Sequence, residues 1–298
     1  MKLDKTRYRL CREAVSHLAA GGLVLLLFVS VARAADGPSA NPIEATGCAF
    51  QKLGAARVTD VVDGDTVVLE DGRQVRLVGI QAPKLPLGRK GFVAWPLADE
   101  AREELIRLSM GKPVMLYRGG ASQDRHGRVL AQLVTQEGKP VWLQEEMLRT
   151  GFARAYSFSD NRICVDALLA AERVARSGGG GIWAIPFYAI RSASNVDELR
   201  SLVDTFQLVE GTVTAASIIR GRLYLNFGEN YRSDFTVTVP PRQVKLFTSG
   251  KWAELLAERG GERPVVGKRL RVRGWIESYN GPEIVVTHPE QMELLSTP

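Results

Sequence analysis

The chain reads as an α+β protein, mainly β with helices, built from two β units in tandem. Three observations predict this. Apolar and polar residues alternate in short runs up to about residue 140, helical-period segments are inserted among those runs and follow them, and a second series of strand-like runs enclosing one helix begins near residue 207. At 298 residues the chain can bury two cores of ordinary size, and 45% hydrophobic with 24% charged residues is a globular composition.

The first 34 residues stand apart. The basic stretch "MKLDKTRYRLCR" precedes the apolar run "LAAGGLVLLLFVSVA" and the small-residue site "ARA", the layout of a secretory signal peptide over 1–34. That run is shorter than the ~20 residues that span a bilayer, with an uncleaved anchor as the alternative. The expectation is a periplasmic or secreted protein. Residues 1–34 hold six Lys/Arg against two Asp/Glu, so +4 of the chain's net +6 resides there and only +2 remains on the mature chain. The basic pI is therefore no evidence for a nucleic-acid partner. Cys11 lies in the leader, leaving Cys48 and Cys164. In an oxidising compartment two thiols suggest one disulfide, with two separate small buried residues as the alternative.

Residues 35–46 are small, polar and proline-bearing, a flexible leader. "ARVTDVV" and "DTVVLED" alternate as strands, and "EDGR" turns tightly into "QVRLVGI". Residues 97–110 set Leu97, Ala101, Leu105 and Leu108 on one helical face. "GKPVMLYR" and "RVLAQLVTQEGKPVWL" read as two more strands, "VWLQEEMLRTG" as a short helix ended by Gly151, and 163–176 as a helix stopped by "SGGGG". Five strands with three helices over 47–188 is the order of an OB-fold barrel with helices packed on it. Residues 189–206 read as a linker containing a short helix. Over 207–298, "LVEGTVTAASIIRG", "RLYLNFG" and "DFTVTVP" are strands, "VKLFTSGKWAELLAERG" a helix, and "KRLRVRGWIESYNG" and "PEIVVTHPEQMELL" closing strands. That order predicts a second, OB-like β-barrel.

"DGDT" after an apolar strand, "VRLVGIQAP", "DRHGR" before another strand, and "AE" followed by "GIWA" together resemble the staphylococcal-nuclease-like (thermonuclease) family over residues 47–188. The resemblance implies Ca²⁺-dependent hydrolysis of phosphodiester bonds in DNA or RNA. In that chemistry a carboxylate pair holds the hard cation, two arginines neutralise charge building on the phosphate, and a glutamate serves as general base. Position by position, Asp65 matches the first metal carboxylate, Arg76 the first phosphate arginine and Arg128 the second. Gln81 stands where the second metal carboxylate is expected, and Lys84 where the general base is expected.

Both departures work against the implied mechanism. Gln81 offers only a neutral amide oxygen, and Lys84 replaces an acceptor by an ammonium. The expected pocket still attracts phosphate but holds Ca²⁺ weakly, with Asp65 facing several cations. Crowded by Arg76 and Arg128, Lys84 could alternatively act as a base. Asp63 and Asp124 are candidate replacement ligands with ordinary turn-forming roles, and His126 in its turn reads as a surface residue. Arg89 and Lys90 in "PLGRKG" are substrate-positioning candidates or simply an exposed basic loop.

Cys48, Cys164, His126 and His288 lack zinc-ligand spacing, and the chain has no phosphate-cradling Gly-Lys loop. In the C-terminal unit, Arg271, Arg273, Trp275 and Tyr279 form a candidate ligand face for single strands, or else the solvated side of a half-buried strand. The expected function is a nuclease-like protein that binds nucleic acid or another phosphate-bearing ligand with reduced or lost hydrolysis. The alternatives are an active phosphodiester hydrolase and an envelope protein-interaction module.

Overall fold

A computed structural model describes residues 41–296. The expected signal peptide over 1–34, and residues 35–40 of the expected flexible leader, lie outside the described residues. Among the described residues no helix is long and apolar enough to cross a membrane.

The first half opens with a short helix, α1 (Pro42–Ala45), followed by strands β1 (Gln51–Asp63), β2 (Thr66–Leu69), β3 (Gln74–Leu77) and β4 (Gly79–Gln81). Helix α2 (Ala98–Ser109), strands β5 (Pro113–Arg118) and β6 (Val129–Thr135), helix α3 (Leu143–Arg149), strand β7 (Arg154–Tyr156) and helix α4 (Val165–Gly178) come next. The five strands read from the alternation close into a barrel in the order β1-β2-β3-β6-β5, and β4 pairs with β7 beside it. Inward positions such as Val58, Val67, Val75 and Leu133 form the core, and α2 and α3 close it with Leu105 and Met147. On α2 the buried face begins one residue later than the periodicity suggests. Ala98 is buried, whereas Leu97 takes the N-terminal cap with φ of 63°.

Two glycines let the chain pass through narrow places. A Cβ on Gly64 would stand 2.7 Å from the Ala82 Cβ and 2.9 Å from the Ala101 Cβ. That closeness draws the β1–β2 turn against the segment after β4. Gly79 has φ of 93°, and a Cβ there would meet Leu168 at 2.5 Å, so the departure of β4 from the barrel depends on it. The disulfide joins Cys48 to Cys164, tying the segment after α1 to the start of α4 across 116 residues. Closing so long a loop stabilises the fold by up to ~4–5 kcal/mol in the chain-entropy account.

In the second half, β8 (Arg191–Ser192), helix α5 (Val196–Ser201), β9 (Phe206–Thr212), β10 (Ala215–Ile219), β11 (Arg222–Asn226) and β12 (Thr236–Val239) follow in order. Helices α6 (Pro241–Val244) and α7 (Gly250–Leu256) and strands β13 (Arg269–Tyr279), β14 (Gly281–Val285) and β15 (Met292–Leu294) complete the chain. Here the expectation of a second closed barrel is corrected. The strands form one eight-stranded open sheet, ordered β10-β11-β12-β14-β13-β9-β8, with β15 also on β13. The run predicted as one long first strand breaks between β9 and β10, which end up in different parts of the sheet. β8, contributed by the expected linker, pairs in parallel with β9, and β10 pairs with β11 alone. With β8 at one end and β10 at the other, the ladder does not return on itself.

The sheet has its own core, including Val209, Leu225, Phe235, Val272 and Ile284. Charge joins it to the barrel. Arg273, 1% exposed, donates to Glu172 Oε2 at 2.8 Å, Glu172 Oε1 at 3.0 Å and the Ala155 carbonyl at 3.1 Å, and it also pairs with Glu293. Arg176 bridges the same two glutamates at 2.6 and 3.1 Å. Burial alone would raise the Glu293 carboxyl, but Arg273 and Arg176 bring it down to about 2.

Candidate functional site

The "DGDT" turn places Asp65 at the foot of β2, where its side chain is 0% exposed. Its Oδ2 accepts from the Ala82 N–H at 2.8 Å and from Lys84 Nζ at 2.6 Å, with the Arg76 guanidinium 3.3 Å away. Burial would raise this carboxyl, yet Arg76 and Lys84 hold it far below the usual carboxylate range. Asp63 lies 3.7 Å from Lys84 Nζ and accepts from the Asp65 N–H at 3.1 Å. Burial and the charge of Asp65 push the Asp63 carboxyl up against the pull of Lys84 and Arg76.

Arg76 projects from β3 and donates to the carbonyls of Leu77 at 2.7 Å and Ile80 at 2.6 Å. Arg128 donates through Nε to Asp124 at 2.7 Å, and Nη1 reaches the Thr66 hydroxyl at 3.4 Å. Both arginines thus have protein partners, and both line one cleft of about 570 Å³ together with Lys84, Gln123, Asp124, Arg125, His126, Leu130, Tyr156, Phe158, Asp160 and Trp275. Four cationic side chains against two acidic ones give the lining an excess of positive charge.

Gln81 and Lys84 take roles of their own. The Gln81 side chain is turned to Arg154 on β7, with Oε1 accepting from Nε at 3.0 Å and Nη2 at 2.8 Å. Arg154 is buried, has no carboxylate within ion-pair distance among the described residues, and packs against Phe206, whose ring centroid is 4.6 Å away. Burial pushes this guanidinium down to about 10. Gln81 therefore serves as the polar acceptor of a buried cation. Lys84, which the resemblance sets at the position of the general base, is a donor to Asp65.

The Ca²⁺ site implied by the resemblance does not fit these residues. A calcium ion requires ~6–8 oxygen ligands, several of them carboxylate. Asp65 Oδ2 already faces three donors, Gln81 Oε1 is taken by Arg154, and an ammonium stands before the aspartates. Among the described residues no three His, Cys, Asp or Glu side chains come together as a metal-holding group.

The remaining sequence candidates disperse. Arg89 is exposed, donates to Leu85 and Pro86 carbonyls of its own loop at 2.6 and 3.1 Å, and covers Phe92. Neither it nor the exposed Lys90 lines the cleft. The four residues expected to form a ligand face on the second sheet are not gathered in one place. Arg273 is buried in the ion cluster, Arg271 pairs with Glu210 and Glu293, and Tyr279 lines a separate groove with Arg222, Tyr224 and Glu277. Only Trp275 reaches the cleft. Sequence reading passed over Arg154, Tyr156 and Phe158; the alternation in "ARAYSF" was the available signal that a strand carried them.

Fold and site define a small closed barrel with a positively lined cleft at its surface and an open sheet packed beside it. Residues 74–185 match the family model described as staphylococcal nuclease homologue, and this part of the chain is a domain of that family. The match takes in Arg76, Gln81, Lys84 and Arg128 and begins after Asp65. The chain is 33% identical over 117 residues to a probable staphylococcal-like nuclease, CAN1, of Oryza sativa subsp. japonica, covering 39% of this chain and 30% of that protein. It is 26% identical over 152 residues to the thermonuclease of Staphylococcus hyicus, covering 48% of this chain and 84% of that protein. With endonuclease YhcR of Bacillus subtilis (strain 168) it shares 29% identity over 136 residues, 42% of this chain and 11% of the other. The chain therefore spans less than a third of the rice relative and most of the staphylococcal one.

Proposed function

We propose that the barrel cleft binds the phosphates of a nucleic acid and that Ca²⁺-dependent hydrolysis is reduced or lost. The observation that carries this reading is the Lys84 ammonium 2.6 Å from Asp65 Oδ2, a covalently attached cation on the carboxylate the mechanism would need for metal. With Gln81 engaged by Arg154, neither the second ligand nor the base of the family chemistry has a substitute at its position. The excess of cations lining the cleft supports attraction of a polyanion. A division into a nuclease-like domain over 47–188, a linker over 189–206 and a C-terminal β domain over 207–298 accompanies the proposal. It is supported by the two separate apolar cores. Export to the periplasm or beyond is proposed from the 1–34 segment and supported by the Cys48–Cys164 disulfide.

The test incubates the purified protein with single-stranded DNA or RNA, with and without Ca²⁺. Binding with little or no Ca²⁺-stimulated cleavage is expected. Robust EDTA-sensitive cleavage that disappears in Arg76→Ala or Arg128→Ala would overturn the loss of hydrolysis. That outcome would favour the alternative of an active hydrolase, for which Arg76 and Arg128 at one cleft, with Asp65 3.3 Å behind Arg76, speak.

A further inference from the structure

One wall of the cleft comes from outside the nuclease-family stretch. Trp275 lies on β13, well beyond residue 185 where the family match ends. Its indole N–H donates to the Tyr156 hydroxyl at 2.9 Å, and its ring stands edge-on to Phe206 with centroids 6.5 Å apart. Tyr156 in turn meets Phe158 at 4.9 Å and Phe206 at 4.8 Å. Two residues before Trp275 the same strand is fastened to the barrel by Arg273 on Glu172 and the Ala155 carbonyl. The tryptophan is thus held in place, but 45% of it remains exposed, as does 43% of Phe158. An apolar side chain serving only to pack the sheet against the barrel would be expected to be covered like its neighbour Phe206.

We propose that Trp275 is a stacking platform for an unpaired nucleobase, added to the cleft by the sheet that follows the nuclease-family stretch. The proposal rests on the phosphate-binding reading above and adds what the appended sheet contributes to it. Arg76, Lys84, Arg125 and Arg128 supply positive charge, while Trp275, with Tyr156 and Phe158, supplies aromatic surface in the same cleft. Interleaved cations and aromatic faces are what a single strand uses, because each nucleotide presents a phosphate and a π-face together. In a duplex the base faces are stacked on each other and offer nothing to an indole. A cleft of about 570 Å³ lies in the ~300–1,000 Å³ range of sites that enclose small ligands, room enough for a nucleotide unit.

The test uses the full protein and a short fluorescein-labelled oligothymidylate followed by anisotropy, with oligouridylate and a mixed-sequence duplex as further arms. The unsubstituted protein should bind both single strands more tightly than the duplex. Trp275→Ala should weaken single-strand binding by roughly 5- to 100-fold while leaving the salt dependence of binding unchanged, and Trp275→Phe should restore most of the affinity. Arg128→Ala should instead lower the salt slope. In parallel, a strand carrying 5-iodouridine is photocrosslinked to the unsubstituted protein, which keeps the test independent of whether the variants fold. An adduct on Trp275 or Phe158 is expected. Single-strand binding that is unaffected in Trp275→Ala, with adducts elsewhere, overturns this inference and leaves the phosphate reading standing. Failure of every strand to bind the unsubstituted protein overturns both.

Discussion

Removing the Lys84 ammonium is expected to create a Ca²⁺ site where the donors now face an attached cation. Asp63 and Asp65 carry two formal negative charges, and Lys84 and Arg76 carry two positive ones within 3.7 Å of them, so an incoming cation meets no net attraction. Lys84→Ala leaves one net negative charge. At ~4 Å and an effective dielectric constant of about 20, two unit charges interact by ~4 kcal/mol, and a divalent ion doubles that. Lys84 is 20% exposed at its side chain and movable. Halving the effect for solvent and side-chain rearrangement leaves ~4 kcal/mol, or about a thousandfold in Kd. Isothermal titration with Ca²⁺ should change from no saturable binding to a Kd of about 1 mM or tighter, and 10-fold excess Ca²⁺ should then stabilise the variant by ~1.4 kcal/mol. Lys84→Glu should bind more tightly still. Gln81→Asp should add nothing, because the new carboxylate would face Arg154, which now donates at 2.8 and 3.0 Å. If Lys84→Ala and Lys84→Glu bind Ca²⁺ no better than the unsubstituted protein, Lys84 is not what blocks the metal. If Gln81→Asp alone suffices, the role assigned to Arg154 is wrong.

Arg273→Met should cost about 3–5 kcal/mol in urea denaturation, since it leaves Glu172, 0% exposed, with Arg176 as its one remaining cation. A loss below ~1 kcal/mol would mean the cluster relaxes without it. His288 is buried with its ring nitrogens against Ser157 at 2.7 Å and Thr287 at 3.0 Å, and burial pushes it down to about 4. Its folded value lies below its unfolded value near 6.5, so the neutral ring's contribution is whole above pH ~6.5 and is lost as pH falls toward 4. Between pH 7 and 4.5 this one group should remove ~2–3 kcal/mol, and His288→Gln should flatten that part of the stability profile, as denaturant midpoints would reveal. An unchanged profile would refute the assignment.

The barrel was legible because its information is local. Alternation in "DTVVLED" and "QVRLVGI" states which side chains turn inward, and the turn residues state where each strand stops. Asp65, Arg76 and Arg128 could be located because motifs carry them. Their partners could not, since Gln81 and Arg154 are 73 residues apart and neither residue's neighbours hint at the other. For the same reason the second sheet was misread. Element order fitted a barrel, but closure depends on which edges remain free, and the two-residue β8 pairs with β9 from inside a segment that reads as linker. On β13 the four candidate residues share one alternation, yet Arg273 is buried in charge, Arg271 is neutralised, Trp275 faces the cleft and Tyr279 lies in another groove. Periodicity distinguishes the faces of a strand but not what stands opposite each face along its length.

The union of Arg273 with Glu172 has a consequence in time. The two residues are 101 positions apart, and Glu172 leaves the ribosome first. At about 5–20 residues per second, ~5–20 s pass before its principal counter-charge has been synthesised. During that interval Glu172 has Arg176 as its only native cation, and Ala155 and Tyr156 still await the sheet that bonds to them. Docking of β13 is the step that brings Arg273 to Glu172, and the same step brings Trp275 to the cleft. Maturation of the fold and completion of the binding surface become a single event.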